Sequence, residues 1–428
     1  MKKIQRGTLI FSAGAILFFV VIQALLSLQI LNSFWFTIIR LGAVMAIVSL
    51  GLNLIYGFNG QFSLGQWAFY AIGAYASADA TYRWTQLHSA LGVLVLLFAV
   101  VLSGIAILFI GRWVSHIRGM DALSQFALYL IATILLIWVA VLVGKALDAP
   151  ITAFLASLPK NVSLQIVFFI CIILAGLLAA EISFLFGLPV LTLGSDYFGI
   201  ATLGLTIIVK VLLDNSDTML GFPEMKGARG MIGIPKITTW FWVFLFLVLV
   251  VVITRNLLLS SYGRAIISVR EDEIAAKAMG IDIAFYKTLT FMIGSFFAGV
   301  AGALYAHING FLHPNTFNFI KSFDPLIIIV FGGLGSVTGT VVASFAWALV
   351  LEGFLRLWLP EGFETWRFVV YPVLLLVMML LKPNGLLGNY EIAYLRNLIP
   401  PLRKKNKEDQ TSPPAALSAA AGTQEVKS

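Results

Sequence analysis

The residues able to do chemistry in this chain are few, and they gather in short segments. Charged side chains make up only 11% of the sequence. One stretch, SYGRAIISVREDEIAAKAMGID, holds Arg264, Arg270, Glu271, Asp272, Glu273 and Lys277 within a short run, with Gly280 close behind. Acids at a helix start, Glu273 and Lys277 four apart, and a terminal glycine predict a short capped helix. Its apolar residues do not collect on one face, so it would anchor poorly in lipid. A charged helix held out from a membrane suits docking on another protein; the same pattern also describes a solvated loop.

Three other segments place uncharged polar residues and glycines inside apolar sequence. Residues 57–74, GFNGQFSLGQWAFYAIGA, carry Gly57, Gly60, Gly65 and Gly73 with Asn59, Gln61, Ser63 and Gln66. Such a mixture permits a broken helix that lines a passage for a polar solute, or close packing between helices. Residues 187–210, GLPVLTLGSDYFGIATLGLTIIVK, contain Asp196. An ionised group at a bilayer's centre costs roughly 3 kcal/mol or more, so Asp196 belongs at an interface or in a cavity. Ser195 or Asp196 could equally cap the helical run that follows. Residues 324–339, DPLIIIVFGGLGSVTG, supply four glycines for a tight crossing or a break. The candidate lining residues are Asn53, Ser63, Gln66, Asp196 and Thr202.

Several chemistries are missing. No phosphate-cradling G-x-x-x-x-G-K-[ST] occurs, since the one Gly-Lys pair, Gly144–Lys145, is followed by Ala146. No H-E-x-x-H or G-x-S-x-G is present. The four histidines, His88, His116, His307 and His313, show no metal spacing, and the single cysteine, Cys171, allows no internal disulfide. No metal site, cofactor or catalytic residue is therefore expected. Arg40, Lys145, Glu181, Lys210 and Glu352 are the main ionisable residues within apolar runs. Most can snorkel to an interface, and they form no proton relay of the kind a proton-driven carrier uses.

The elements that must position these segments are membrane helices. The chain has 428 residues, 60% hydrophobic, against about 25% charged residues in soluble domains. A bilayer crossing needs roughly 20 apolar residues. Runs of that kind lie near 8–31, 35–57, 91–114, 122–147, 162–188, 238–260, 287–308, 336–358 and 366–382, with shorter ones near 62–81, 197–213 and 322–334. The fold class is an all-α integral membrane bundle of about ten to twelve membrane elements. The start resembles a signal peptide but is too long and lacks a clear cleavage site, so an uncleaved first helix is expected. Much of the +8 net charge sits at the two ends. It reads as two cytoplasmic termini rather than a nucleic-acid surface. The charged loop is also placed in the cytoplasm. Two cytoplasmic points need an even number of crossings between them, so the short run at 322–334 must count as one, as a broken helix meeting the GGLGS bend.

The ordered segments together resemble the LivM-type permeases of bacterial branched-chain amino acid ABC importers. The anchors are LGLNLIYGFNGQFSLGQWAFYAIGAY, GLPVLTLGSDYFGIATLG, GARGMIGIP, GRAIISVREDEIAAKAMGID, FAGVAGALYAHINGFLHP, FGGLGSVTGTVVA and KPNGLLG, across residues 35–390. The resemblance implies a permease domain at 35–390, which follows the N-terminal membrane helix read at 1–34. Within it lie an inserted hairpin at 91–160 and a cytoplasmic coupling loop at 262–285; a disordered tail follows at 391–428. It implies a second, LivH-like permease, two cytoplasmic ATPase subunits and a periplasmic or extracellular substrate-binding protein. Arg264, Arg270, Glu271, Asp272, Glu273, Lys277 and Gly280 would form the ATPase-coupling segment, in which Ile274 stands where importer permeases carry Glu. The implied location is the bacterial inner membrane, and the implied cargo a branched-chain or related amino acid. A same-family permease for urea, short amides or another small polar solute is the alternative. The sequence departs from the family in its hairpin, in Ile207 and Lys210 where Glu and Arg are usual, and in Met225, Lys226, Gly227, Ala228, Arg229 and Gly230 where T-G-G-x-N-G is usual.

Overall fold

A computed structural model describes residues 2–28, 32–114, 122–191, 195–218 and 223–358, with a few positions between 373 and 391. The helices are α1 (Lys2–Ser27), α2 (Ser33–Leu52), α3 (Gln66–Gln86), α4 (Leu91–Val114), α5 (Ala122–Ser157), α6 (Lys160–Val190) and α7 (Ser195–Asp214). They continue with α8 (Trp240–Leu259), α9 (Ser261–Glu271), α10 (Glu273–Ala278), α11 (Ile283–Asn309), α12 (Phe323–Gly332), α13 (Val337–Trp347) and α14 (Leu355–Trp358). Seven stretches among the described residues are long and apolar enough to cross a membrane. The protein is an all-α polytopic membrane protein. Its only described sheet is a two-residue clip, β1 (Met231–Ile232) antiparallel to β2 (Phe311–Leu312). The run at 366–382 and the tail lie almost wholly outside the described residues.

Small residues set the packing. Lipid offers no hydrophobic drive for helices to associate, so close van der Waals contact must supply it. α11 is the hub, enclosed by α2, α3 and α6. A Cβ on Gly302 would fall against the Tyr70 backbone and 2.8 Å from the Ala74 amide nitrogen; one on Gly299 would sit 2.7 Å from the Ala175 carbonyl oxygen. α3 runs beside α11 in the same direction. Phe69 faces Phe291 at 5.4 Å between ring centroids, and Thr81 Oγ1 meets His307 Nε2 at 2.8 Å further along. In α2 83% of the apolar window is buried, against 22% in α5. α5, paired with α4, turns Leu135 and Trp138 outward, exposed. α5 also runs past the expected end at 147 to Ser157 with Pro150 inside it. Around that proline, Asp148 accepts from Ser89 Oγ at 2.9 Å and from Thr152 Oγ1 at 3.0 Å.

Two elements are not continuous helices. α2 widens into a π turn, Asn53–Phe58, and the chain stays irregular until α3 begins at Gln66 rather than 62. α12 has 10 residues, about 15 Å of rise and half a hydrocarbon core. Two 3-10 turns, Pro314–Phe317 and Phe319–Ser322, precede it. It turns at Gly333–Ser336 into α13, which passes through a second π turn, Ala348–Phe354, into α14. Leu386 N–H donates to Phe331 O at 2.8 Å, so residue 386 lies beside the end of α12.

Overpacking the α3–α11 contact gives the first prediction. Gly302→Val should lower the detergent unfolding midpoint by several degrees, in line with about 1–3 kcal/mol or more of strain. Gly204→Ala, where nothing lies within 4 Å of the added Cβ, should leave it unchanged or slightly raised. Thermal unfolding followed by size-exclusion chromatography reads both.

Candidate functional site

The two glycine breaks meet. Asn53 is fully buried at the start of the first π turn. Its Nδ2 donates to Ser336 O and Thr340 Oγ1, each at 2.9 Å, and its Oδ1 accepts from Gly335 N at 2.9 Å. One carboxamide from the first break thus satisfies the Gly335 N–H of the second and adds a bond to Ser336 O. Ser336 Oγ caps α13 by accepting from Gly339 N at 2.9 Å. Glu391, only 7% exposed, accepts from Val337 N at 2.7 Å and Thr338 N at 3.2 Å, placing a carboxylate at a helix N-terminus, where the dipole favours it. The irregular chain at 59–65 leans on α7: Leu64 N donates to Thr202 Oγ1 at 3.0 Å, and Thr206 Oγ1 donates to Leu64 O at 3.3 Å.

The charged stretch reaches this junction directly. It is two helices rather than one, with the kink at Asp272. Ser260 caps α9 by accepting from Gly263 N at 3.3 Å. Asp272 caps α10, accepting from Ile274 N at 2.8 Å and Ala275 N at 3.0 Å. Gly280 follows at φ +81°, a left-handed turn suited to glycine, and Asp282 caps α11 through Phe285 N at 3.1 Å. Arg270 Nη1 donates to Gly57 O at 2.7 Å. Its stem lies against Gly60, and its guanidinium would be 3.4 Å from a Cβ on Gly335. One side chain therefore touches both breaks. Glu271 accepts from Arg270 Nε at 3.1 Å. Glu273 pairs with Lys287 Nζ at 2.6 Å, across the Gly280 turn, rather than with Lys277 as the four-residue spacing predicted. Lys277 and Arg264 are exposed. So are Ile274 and Met279, at 84% and 82%, two apolar side chains left bare on a charged tip.

At the opposite end of the bundle lies a cavity of about 530 Å³. α2, α3, α11, the start of α12 and the second π turn wall it. Trp67 stacks on Tyr70 at 4.7 Å between centroids, Tyr70 meets Tyr305 at 5.4 Å, and Trp67 Nε1 donates to Thr316 O at 3.0 Å. Lys321, Asp324, Glu352 and Arg356 bring charges of both signs to its wall, with Lys321 Nζ 3.3 Å from Asp324 Oδ2.

Of the expected lining residues, Asn53, Ser63, Gln66 and Thr202 are all buried, and none belongs to this cavity wall. Ser63 Oγ accepts from Gly65 N at 3.3 Å; Thr202 Oγ1 also donates to Gly199 O at 3.0 Å. Gln66 alone has a buried side-chain amide with neither atom partnered. Asp196 lies in the first turn of α7 and its side chain is outside the described residues. The cavity was missed because its walls come from segments far apart in sequence. The available signal was Glu352 within an apolar run and the Lys321–Asp324 pair before another. Ile207 and Lys210 lie on α7, where Lys210 Nζ pairs with Asp214 Oδ2 at 2.6 Å. The 223–230 segment forms two 3-10 turns beside β1.

A family model described as branched-chain amino acid transport system, permease component, matches residues 34–163 and 122–379. The chain belongs to this permease family. A high-affinity branched-chain amino acid transport system permease protein LivM from Salmonella typhimurium is 34% identical over 254 residues, 51% of this chain and 57% of the relative. LivM from Escherichia coli shares the same figures. A probable branched-chain amino acid transport permease protein LivM from Methanocaldococcus jannaschii is 27% identical over 259 residues, 56% of this chain and 72% of the relative. The chain thus spans somewhat over half the length of the bacterial relatives it matches. No solved structure matches it.

Within this permease the Asn53 bridge makes a direct prediction. Asn53→Ala leaves the buried Gly335 N–H without a partner and should cost about 1–3 kcal/mol. The readout is a lower unfolding midpoint in detergent; an unchanged midpoint would mean that the bridge contributes nothing.

Proposed function

We propose that this chain is the permease subunit of an ATP-driven importer that carries branched-chain or related amino acids into the cytoplasm. Family membership supports transport. The observation that carries the mechanism is the contact of one coupling-segment side chain, Arg270, with both glycine breaks. Arg264, Arg270, Lys277 and Lys287 put the α9–α10 end on the cytoplasmic side by the positive-inside rule, in a bacterial inner membrane with both termini cytoplasmic. The energy source is then a pair of ATPase subunits that take the α10 tip, with Ile274 and Met279 as apolar contacts and Glu271, Asp272, Glu273 and Lys277 as the charged rim. A LivH-like permease completes the membrane pair, and a substrate-binding protein delivers cargo to the far side.

The mechanism is alternating access. In the present arrangement the far-side cavity is separated from the α9–α10 end by the Asn53 bridge and by the 59–65 segment packed on α7. ATPase closure moves α10, Arg270 carries the displacement to Gly57 and Gly335, and the two breaks shift as a unit. Ser63, Gln66, Asp196 and Thr202 come into the passage as the 59–65 segment moves. Gln66 is the best placed, since its amide has no partner to give up.

Replacing Glu273 with Lys sets a like charge against Lys287 and reverses the rim. In the complete assembly, Glu271→Lys and Glu273→Lys should abolish ATP-driven amino acid uptake into vesicles while membrane insertion, measured by protease protection, stays normal. Normal uptake in both variants would contradict the docking assignment.

A further inference from the structure

We infer that the cavity opposite the coupling segment binds a zwitterion, the free α-amino acid itself, so that the permease contributes to cargo selection instead of passing whatever it is handed. The inference rests on the importer reading and names the ligand site within it. Its size falls in the usual range for small-ligand sites, about 300–1,000 Å³. Its chemistry is the stronger argument. The Asp324 carboxylate is 4% exposed and is held by Lys321. Glu352 is half-buried on the π turn, a helix irregularity found often at functional sites. Arg356 stands one turn beyond it on α14, exposed. Trp347 also borders this space, although its indole N–H is buried away from it.

Each group has a counterpart in an amino acid. A carboxylate fits Arg356. An ammonium fits Glu352 and the ring faces of Tyr70 and Tyr305, which attract cations. An aliphatic side chain packs against Trp67. Urea or a simple amide would leave the charged wall unmatched, at a desolvation cost that discriminates strongly between ligands. A zwitterionic lipid headgroup shares the ammonium and the anion, and the test separates it from the amino acid.

The complete transporter, purified in detergent without its substrate-binding protein, is assayed for saturable binding of radiolabelled leucine. Leucinamide, which lacks the carboxylate, isovalerate, which lacks the ammonium, urea and phosphoethanolamine serve as competitors. Leucine should compete about tenfold or more better than any of them. Glu352→Gln and Arg356→Gln should each weaken leucine binding about tenfold and raise KM for uptake. Arg356 is exposed, so its variant tests the site without endangering the fold. Equal competition by leucinamide or urea, stronger competition by phosphoethanolamine, or wild-type binding in both variants would overturn the inference. If the wild-type assembly with its binding protein takes up no amino acid at all, the importer reading has failed instead.

Discussion

Backbone that leaves a helix inside a membrane finds no water to bond to, and its N–H and C=O groups must be satisfied by the protein. This chain leaves helical geometry twice at the coupling end of its bundle, at 53–65 and at 333–336, and solves both breaks with shared partners. The Asn53 carboxamide spans them. Thr202 and Thr206 hold the first from α7, and Glu391 holds the helix that follows the second. Because the partners are shared, neither break can move alone. Two interruptions that would each be a weak point become one jointed element.

That joint has a handle. The α9–α10 segment is built from caps and a left-handed glycine, so its shape is set locally; it packs on the bundle through the buried Ile266 and Val269 and reaches the breaks through Arg270. A planar guanidinium with several fixed donors suits this role better than a flexible ammonium would. The same segment leaves Ile274 and Met279 bare, while the Glu273–Lys287 pair ties its base to α11. In the proposed reading this surface takes the push from outside, and the Arg270 contact beneath it leads to the joined breaks. The far-side cavity lies beyond that joint, with Trp67 and Tyr70 placed by the start of α3, immediately after the first break.

Much of this was legible in the sequence, and the reasons differ by element. The spans α2, α6, α8 and α11 were readable because each carries the length of apolar residues a bilayer requires. The bend after α12 was readable from GGLGS, whereas α12 itself, at 10 residues, is too short to be the full crossing that an even count asked of the 322–334 run. The partner of Glu273 was not readable: helical spacing nominates Lys277, but the Gly280 turn folds α11 back so that Lys287 arrives first. Polar residues stand out in apolar sequence, yet polarity alone does not say whether a side chain faces water or satisfies a neighbour's backbone. Asn53 and Thr202 do the second in this structure. The cavity could not be assembled at all, since Trp67, Tyr305, Asp324 and Glu352 share no spacing and meet only through α11 and the second π turn.

The central claim is that force reaches the broken helices through Arg270. The most direct test is the ratio of solute moved to ATP hydrolysed, measured in proteoliposomes holding the complete transporter with Arg270→Ala. The account predicts that hydrolysis continues while uptake falls to background, an uncoupled machine. An unchanged ratio, with uptake as in the parent, would contradict it.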